Sequence, residues 1–138
     1  MTTKDYFYQV QNAIRSRKNL QKLLPDLDEQ MSAIGSFEYD KERVQTTPQN
    51  ARELKVCEYI DIKTKYIEQI NRCAKLIIEA EERLNGMSKP EYAEILRLQY
   101  MSETRAVYSE IAQIMDYSED YVRRINTEAS REFEEKYL

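Results

Sequence analysis

Apolar residues recur every three or four positions along most of this chain, and this spacing is the feature that most restricts its fold. An α-helix has 3.6 residues per turn, so residues spaced in this way form a stripe along one side of a helix. In the first segment the stripe consists of Tyr6, Val10, Ala13, Leu20, Leu24, Leu27, Met31 and Ile34. In the second segment it consists of Val56, Ile60, Ile67, Ile70, Ala74, Ile77 and Leu84. The sequence therefore predicts two long helices within its first 86 residues.

Residues that interrupt helices are rare. The chain of 138 residues has 2 Gly and 3 Pro, whereas sheets need many turns and hence many such residues. The expected fold class is therefore all-α. Pro25 predicts a kink or break near Leu24, and Gly35–Ser36 is expected to end the first helix. Thr47–Pro48 is expected to start the second helix, because Thr caps free backbone N–H groups and Pro suits the first turn.

An amphipathic helix needs a partner that covers its apolar stripe. The simplest partner for the second long helix is the first, folded back to give a long, coiled-coil-like antiparallel hairpin over residues 1–86. The seven-residue rhythm also permits a homodimer through the second helix. Both arrangements stay open, and the segment is predicted to serve oligomerisation or partner binding.

The residue types argue against an enzyme. The chain has no His, which removes the commonest general base and metal ligand. Neither a Gly-rich phosphate loop nor a Gly-x-Ser-x-Gly elbow replaces it. We therefore expect no catalytic residues, no metal site and no cofactor.

Cysteine usage and hydropathy indicate a cytoplasmic protein. Cys57 and Cys73 lie about 24 Å apart along a straight helix, too far for a disulfide, and we expect both to be reduced. No apolar run is long enough for a membrane span, and the first residues do not resemble a secretory signal.

Residues 108–133, YSEIAQIMDYSEDYVRRINTEASREF, have the outline of a helix-turn-helix. Ala112 is the small residue at which two helices can cross, and Ile111 and Met115 flank it. A turn is expected at Asp116–Tyr117, where Asp tolerates a left-handed backbone. Ser118 is then placed to cap the next helix. The residues spaced to pack back onto the first helix are Val122, Ile125, Ala129 and Phe133.

With that face buried, helical geometry assigns a DNA-binding face to the opposite side. This face contains Asp120, Arg123, Arg124, Thr127 and Arg131, with Ser118, Glu119 and Tyr121 at its leading end. Arg123 and Arg124 are the best candidates for guanine edges or phosphates. Tyr121 and Ser118 have hydroxyl groups that donate to phosphate oxygens, and Asp120 is spaced to orient an arginine.

The charge balance favours a rival hypothesis. Ser88 and Glu91 are spaced as a capping box and predict the start of a further helix. From Ser88 onwards, residues 88–138 contain seven Lys and Arg against eleven Asp and Glu. Nucleic-acid binding draws on basic surface, so a module that binds another protein is the alternative. A basic cluster, Arg15, Arg17, Lys18 and Lys22, is either an auxiliary phosphate patch or a solvated face.

The stretch ILRLQYMSETRAVYSEIAQIMDYSEDYVRRINTEASREF resembles region 4 of bacterial sigma factors. The matching parts are Ile95–Tyr100, Ile111–Ala112, Tyr117–Ser118 and Tyr121–Arg124. The segment RVQTTPQN (Arg43–Asn50) between two long helices is similar to a feature of phage and prophage regulators of the ArpU/RinA type. The resemblance implies a helix-turn-helix DNA-binding domain over residues 87–138 and a regulator, in the first instance an activator, of phage late or packaging genes. It also implies double-stranded DNA and RNA polymerase as partners. In this context the protein-interaction alternative would bind RNA polymerase or another phage protein. A small terminase subunit ranks last, since it usually carries its helix-turn-helix first.

Overall fold

The computed structural model of the chain describes residues 1–40 and 48–138, and its account of side chains leaves out residues 33–50 and 52. The helices in these ranges are α1 (Thr3–Asp40), α2 (Pro48–Asn85), α3 (Pro90–Tyr100), α4 (Tyr108–Met115) and α5 (Glu119–Tyr137). No strand occurs in the ranges described. The predicted all-α class is confirmed.

α1 is longer than its breaker residues suggested. It continues through Pro25 and through Gly35–Ser36 to Asp40, so the predicted end at Gly35 is wrong. Pro25 does not break the helix, and the kink expected there as the other possibility stays a prediction. A Pro removes one hydrogen bond and a Gly costs about 1 kcal/mol in a helix, and the turns on either side of them are helical here. The predicted Thr47 cap and residues 43–47 of the RVQTTPQN segment lie outside the described residues.

The start of α3 differs from its predicted capping box. Lys89 is the N-cap residue, and no side chain caps the helix. Both members of the expected box instead have partners on α5. The backbone N–H of Ser88 donates to Glu132 Oε2 at 3.3 Å, and Glu91 Oε2 accepts from the Tyr121 hydroxyl at 3.1 Å. Tertiary contacts have therefore replaced the local cap.

The chain divides into two compact units, and both long helices contribute to each. The first unit comprises Met1–Ser16 and Cys73–Leu138, and the second comprises Arg17–Arg72. The functional division predicted at residues 86 and 87 stays a prediction. The unit that contains α3, α4 and α5 also includes the first turns of α1.

Aromatic rings join the start of α1 to the core of the first unit. Phe7 is fully buried; its ring stacks on Tyr100 with centroids 4.8 Å apart and lies 5.0 Å from Phe133. Aromatic pairs contribute about 0.5–1.5 kcal/mol beyond their buried area. Thr3 adds two hydrogen bonds to α5, from its Oγ1 to the Ser130 carbonyl (2.8 Å) and from its backbone N–H to Glu134 (3.0 Å). α3 and α5 are thus packed around a residue that is distant in sequence.

In the second unit a polar cluster joins α1 to α2. The Asp28 carboxylate accepts hydrogen bonds from the Tyr59 hydroxyl and from Lys63 Nζ, the latter at 3.1 Å. The hydrogen bond from Tyr59, followed by that from Lys63, lowers the pKa of Asp28. The predicted apolar stripe of α2 is less buried than expected, because Ile60 is 53% and Ile67 42% exposed. Tyr59 and Lys63, both amphipathic, contribute contacts with α1 in this part of α2.

Replacement of Phe7 by Ala should destabilise the first unit by about 3–5 kcal/mol, because it removes a buried ring and leaves a cavity between α3 and α5. Urea titration followed by hydrogen exchange of α3 and α5 amides measures this loss. Tyr8→Ala is the matched control, since Tyr8 is 62% exposed and its truncation should change stability little. Equal effects of the two substitutions would contradict the proposed packing.

Candidate nucleic-acid interface

The connection between α4 and α5 is a tight turn built on Asp116. Its backbone is left-handed, with φ 58° and ψ 43°, as expected from the sequence. The backbone N–H groups of Asp116 and Tyr117 both donate to the carbonyl oxygen of Ala112. The carbonyl oxygen of Ala112, one of those that a helix end leaves unpaired, thereby receives two hydrogen bonds from the turn itself. The turn takes the three residues Asp116–Ser118, and α5 starts at Glu119.

Ser118 caps α5 as predicted. Its backbone is extended, and its Oγ accepts a hydrogen bond from the Tyr121 N–H at 3.2 Å. Glu119 and Asp120 occupy the first turn of α5, where the helix dipole favours negative charge. This end of the helix is therefore well defined, and its exposed polar groups have a fixed starting geometry.

The buried face of α5 is the one predicted from spacing. Val122, Ala129 and Phe133 are fully buried and Ile125 is 5% exposed. They pack in one core with Ile111 and Ala112 of α4 and with residues of α3. Met115 is half-buried against the same core. Because this face is fixed, the orientation of the rest of α5 is fixed as well.

The candidate DNA-binding residues lie where this orientation requires. All but one are exposed; the exposed ones are Ser118, Glu119, Asp120, Arg123, Arg124, Thr127 and Arg131. Tyr121 is half-buried. The side chains expected to contact a duplex therefore share the solvent side of α5, and whether they bind one stays a prediction.

Arg123 is held by two neighbours. Its Nη2 lies 2.8 Å from Glu119 Oε1, and its guanidinium lies over the Tyr108 ring at 5.6 Å from the centroid. The sequence suggested Asp120 as the acid that orients an arginine; the structure pairs Arg123 with Glu119 instead. Positions four apart face each other on a helix, and Glu is long enough to reach. The Arg123 side chain is 59% exposed, so its guanidinium can exchange Glu119 for a ligand.

Arg124 lies over the ring of Tyr121, 5.0 Å from its centroid. The Tyr121 hydroxyl donates to Glu91 of α3, and this hydrogen bond raises the pKa of Tyr121. Its predicted role as a phosphate donor would require the bond to Glu91 to break. In this structure Tyr121 instead joins α5 to α3 and supports Arg124.

Most of the acidic residues of α5 have partners inside the first unit. Glu128 accepts from the Tyr92 hydroxyl at 3.0 Å, Glu132 from the Ser88 N–H and Glu134 from the Thr3 N–H. These acceptors lie on the flanks of α5, where the helix meets α3 and the start of α1. Three of the six carboxylates of α5 therefore contribute hydrogen bonds to the fold.

Two buried polar residues behind α5 were missed at the level of sequence. Gln99 is 1% and Asn126 8% exposed, and Asn126 Nδ2 donates to the Tyr108 hydroxyl at 3.0 Å. Buried amides are costly unless they are hydrogen-bonded. The available signal was their position, because each interrupts an otherwise apolar helical face. The same signal does not identify Tyr108, whose ring lies beneath the Arg123 guanidinium.

The basic cluster on α1 is partly structural. Arg15 donates from Nη1 to the carbonyl oxygen of Glu103 at 2.8 Å and from Nη2 to Asn12. It thereby holds the loop between α3 and α4. This contact explains one member of the cluster without a phosphate.

No protein-family model matches the chain, and comparisons with curated proteins and with solved structures return no match. The parts of the chain that the structure describes contain no group of three or more His, Cys, Asp and Glu placed to hold a metal ion. They also contain no helix with both the length and the apolarity needed to cross a bilayer.

Substitution of Asp116 by Gly should stabilise the first unit by about 0.5–1 kcal/mol, because Gly adopts the left-handed conformation without the steric cost that a Cβ brings. Asp116→Ala, which keeps the Cβ and loses the polar group, should lower stability. Urea unfolding of the three proteins gives the order. A wild type more stable than the Gly variant would show that the Asp116 side chain itself stabilises the turn.

Replacement of Glu91 by Gln should lower the pKa of Tyr121 towards its ordinary value, since the neutral amide no longer disfavours the phenolate. The hydrogen bond that raises this pKa stabilises the fold while Tyr121 is protonated, and its contribution is lost as the pH rises above about 10. NMR titration of the labelled tyrosine ring gives the pKa directly. Glu94→Gln, on the exposed side of α3, is the control and should leave Tyr121 unchanged.

Proposed function

We propose that this protein is a sequence-specific, double-stranded DNA-binding transcriptional regulator of the phage or prophage ArpU/RinA type. In this proposal α4, the Asp116 turn and α5 form a helix-turn-helix similar to sigma region 4, and α5 enters the major groove. The expected role is activation of late or packaging genes in the cytoplasm of a bacterial host. One observation carries the proposal: the predicted inner face of α5 is buried while Arg123, Arg124 and Arg131 are exposed on its other side.

Two adjacent arginines of α5 are each supported by a tyrosine ring. Arg123 and Arg124 lie in the second turn of α5, close to the end that enters the groove first in this class of motif. A guanidinium binds the O6 and N7 atoms of guanine in a bidentate manner, a contact worth about 1–3 kcal/mol of discrimination. Stacking on Tyr108 and Tyr121 limits the motion of both side chains, which reduces the entropy lost on binding. Thr127 and Arg131, further along α5, are candidates for the flanking backbone.

The long helices would supply a second function. In the second unit the contacts of Asp28 with Tyr59 and Lys63 support a fold-back of α1 on α2, as in the expected antiparallel hairpin. Such a hairpin would hold a partner subunit or another protein, and a homodimer would present two copies of α5 to DNA. Two half-sites on one duplex bind more tightly than either alone.

Substitution of both Arg123 and Arg124 by Ala should abolish the preference for a specific duplex and leave weak, salt-dependent binding. The measurement is fluorescence anisotropy with DNA from upstream of the protein's own gene, compared with a scrambled duplex of the same length. The control is Lys65→Ala with Arg72→Ala, which removes the same charge from exposed positions of α2. The assigned interface is wrong if the Arg123, Arg124 variant binds with wild-type specificity.

The alternative function is a protein-interaction module that binds RNA polymerase or another phage protein. The exposure of Ile60 and Ile67 on α2 favours it, because apolar residues at helical spacing are typical of helix-mediated binding. In that case wild-type protein would bind neither duplex even at low salt. Pull-down of purified RNA polymerase, lost on Ile60→Asp with Ile67→Asp, would support this alternative.

A further inference from the structure

A chain of polar contacts runs through the first unit and ends at an arginine that lies outside the helix-turn-helix motif. With its amide assigned from its partners, Gln99 donates from Nε2 to Asn126 Oδ1 at 2.5 Å. Its Oε1 accepts from Arg105 at 2.9 Å (Nε) and 2.7 Å (Nη2). Asn126 in turn donates to the Tyr108 hydroxyl, whose ring lies beneath Arg123. Arg105 and Arg123 are therefore at the two ends of one connected set of side chains.

Arg105 is exposed and yet held in place. It lies in the α3–α4 loop, and its guanidinium lies over the Tyr100 ring at 5.4 Å from the centroid. Gln99 occupies two of the five N–H donors of the guanidinium. Within the described residues the remaining three N–H groups have no hydrogen-bond acceptor. A guanidinium fixed on one edge and open on the other is suited to an anion such as phosphate.

The loop that carries Arg105 is itself anchored. The Ala106 N–H donates to the Gln99 carbonyl at 3.3 Å, Ser102 Oγ donates to the Thr104 carbonyl at 2.6 Å, and Arg15 holds the Glu103 carbonyl. Arg105 also lies three residues before Tyr108, so their Cα atoms are at most about 11 Å apart. Through Gln99 and Asn126 the guanidinium of Arg105 thus has a defined position relative to α5.

We propose that Arg105 binds a phosphate of the duplex whose major groove receives α5, extending the DNA interface from α5 to the α3–α4 loop. This inference rests on the proposed function. Arg105 would contribute affinity and register with no base preference of its own, because phosphates carry no direct sequence information. The buried Gln99–Asn126–Tyr108 chain would hold the phosphate contact and the base-reading Arg123 in a fixed relation.

The test is the dependence of binding on salt. Each phosphate neutralised contributes about 0.9 to the slope of log affinity against log salt concentration. Arg105→Ala should lower that slope by about one and weaken binding to specific and scrambled duplexes equally. Between 50 and 200 mM salt it should therefore lose about fourfold less affinity than wild type. Arg105→Lys keeps the charge and should keep the slope.

The control is Lys89→Ala, which removes one charge from an exposed position of the same unit, at the start of α3. It should leave the slope as in wild type. A second measurement uses the unaltered protein, so it does not depend on folding of a variant: the Nε–Hε NMR resonance of Arg105 should shift when the specific duplex is added.

The outcomes separate this inference from the function on which it rests. A wild-type slope for Arg105→Ala, or an Arg105 resonance that does not move with bound DNA, overturns the role of Arg105. The proposed function still stands in that case if the Arg123, Arg124 double variant loses specificity. Failure of the wild-type protein to bind either duplex at low salt overturns both.

Discussion

Burial of Phe7 among Tyr100 and Phe133 is the contact on which the first unit depends. It brings the start of α1 against α3 and α5, so three segments far apart in sequence share one aromatic core. Thr3 adds hydrogen bonds to the carbonyl of Ser130 and the side chain of Glu134 on α5. A body of this size has little core to spare. Residues at the start of α1, outside the helix-turn-helix motif, therefore support the helix that carries the candidate interface.

The same packing accounts for the distribution of charge. An acidic half is a poor match to DNA if its acids are spread evenly, but Glu128, Glu132 and Glu134 accept hydrogen bonds from groups outside α5. These three carboxylates lie at the flanks of the helix, whereas Glu119 and Asp120 are exposed on its solvent side with the arginines. Glu119 differs, because it neutralises Arg123 directly. A ligand with stronger negative charge would have to displace it.

The interior polar residues link structure to the proposed function. Gln99 and Asn126 are buried, and buried amides must be satisfied, so the orientation of each restricts the next. Through them the α3–α4 loop, the first residue of α4 and the middle of α5 are held in one arrangement. A recognition surface requires such rigidity, since side chains that are ordered before binding lose less entropy.

Local spacing determined the helical class, the turn at Asp116, the Ser118 cap and the inner face of α5, because each depends on residues at most a few turns apart. It also assigned the outward arginines, which follow from that face by geometry. Tertiary structure decided the rest. The contacts of Phe7 and Thr3 with α5 and the loss of the Ser88 cap to Glu132 depend on which distant segments meet. Such contacts form between groups that lie dozens of residues apart in the sequence. The spacing of residues along the chain therefore does not predict these contacts.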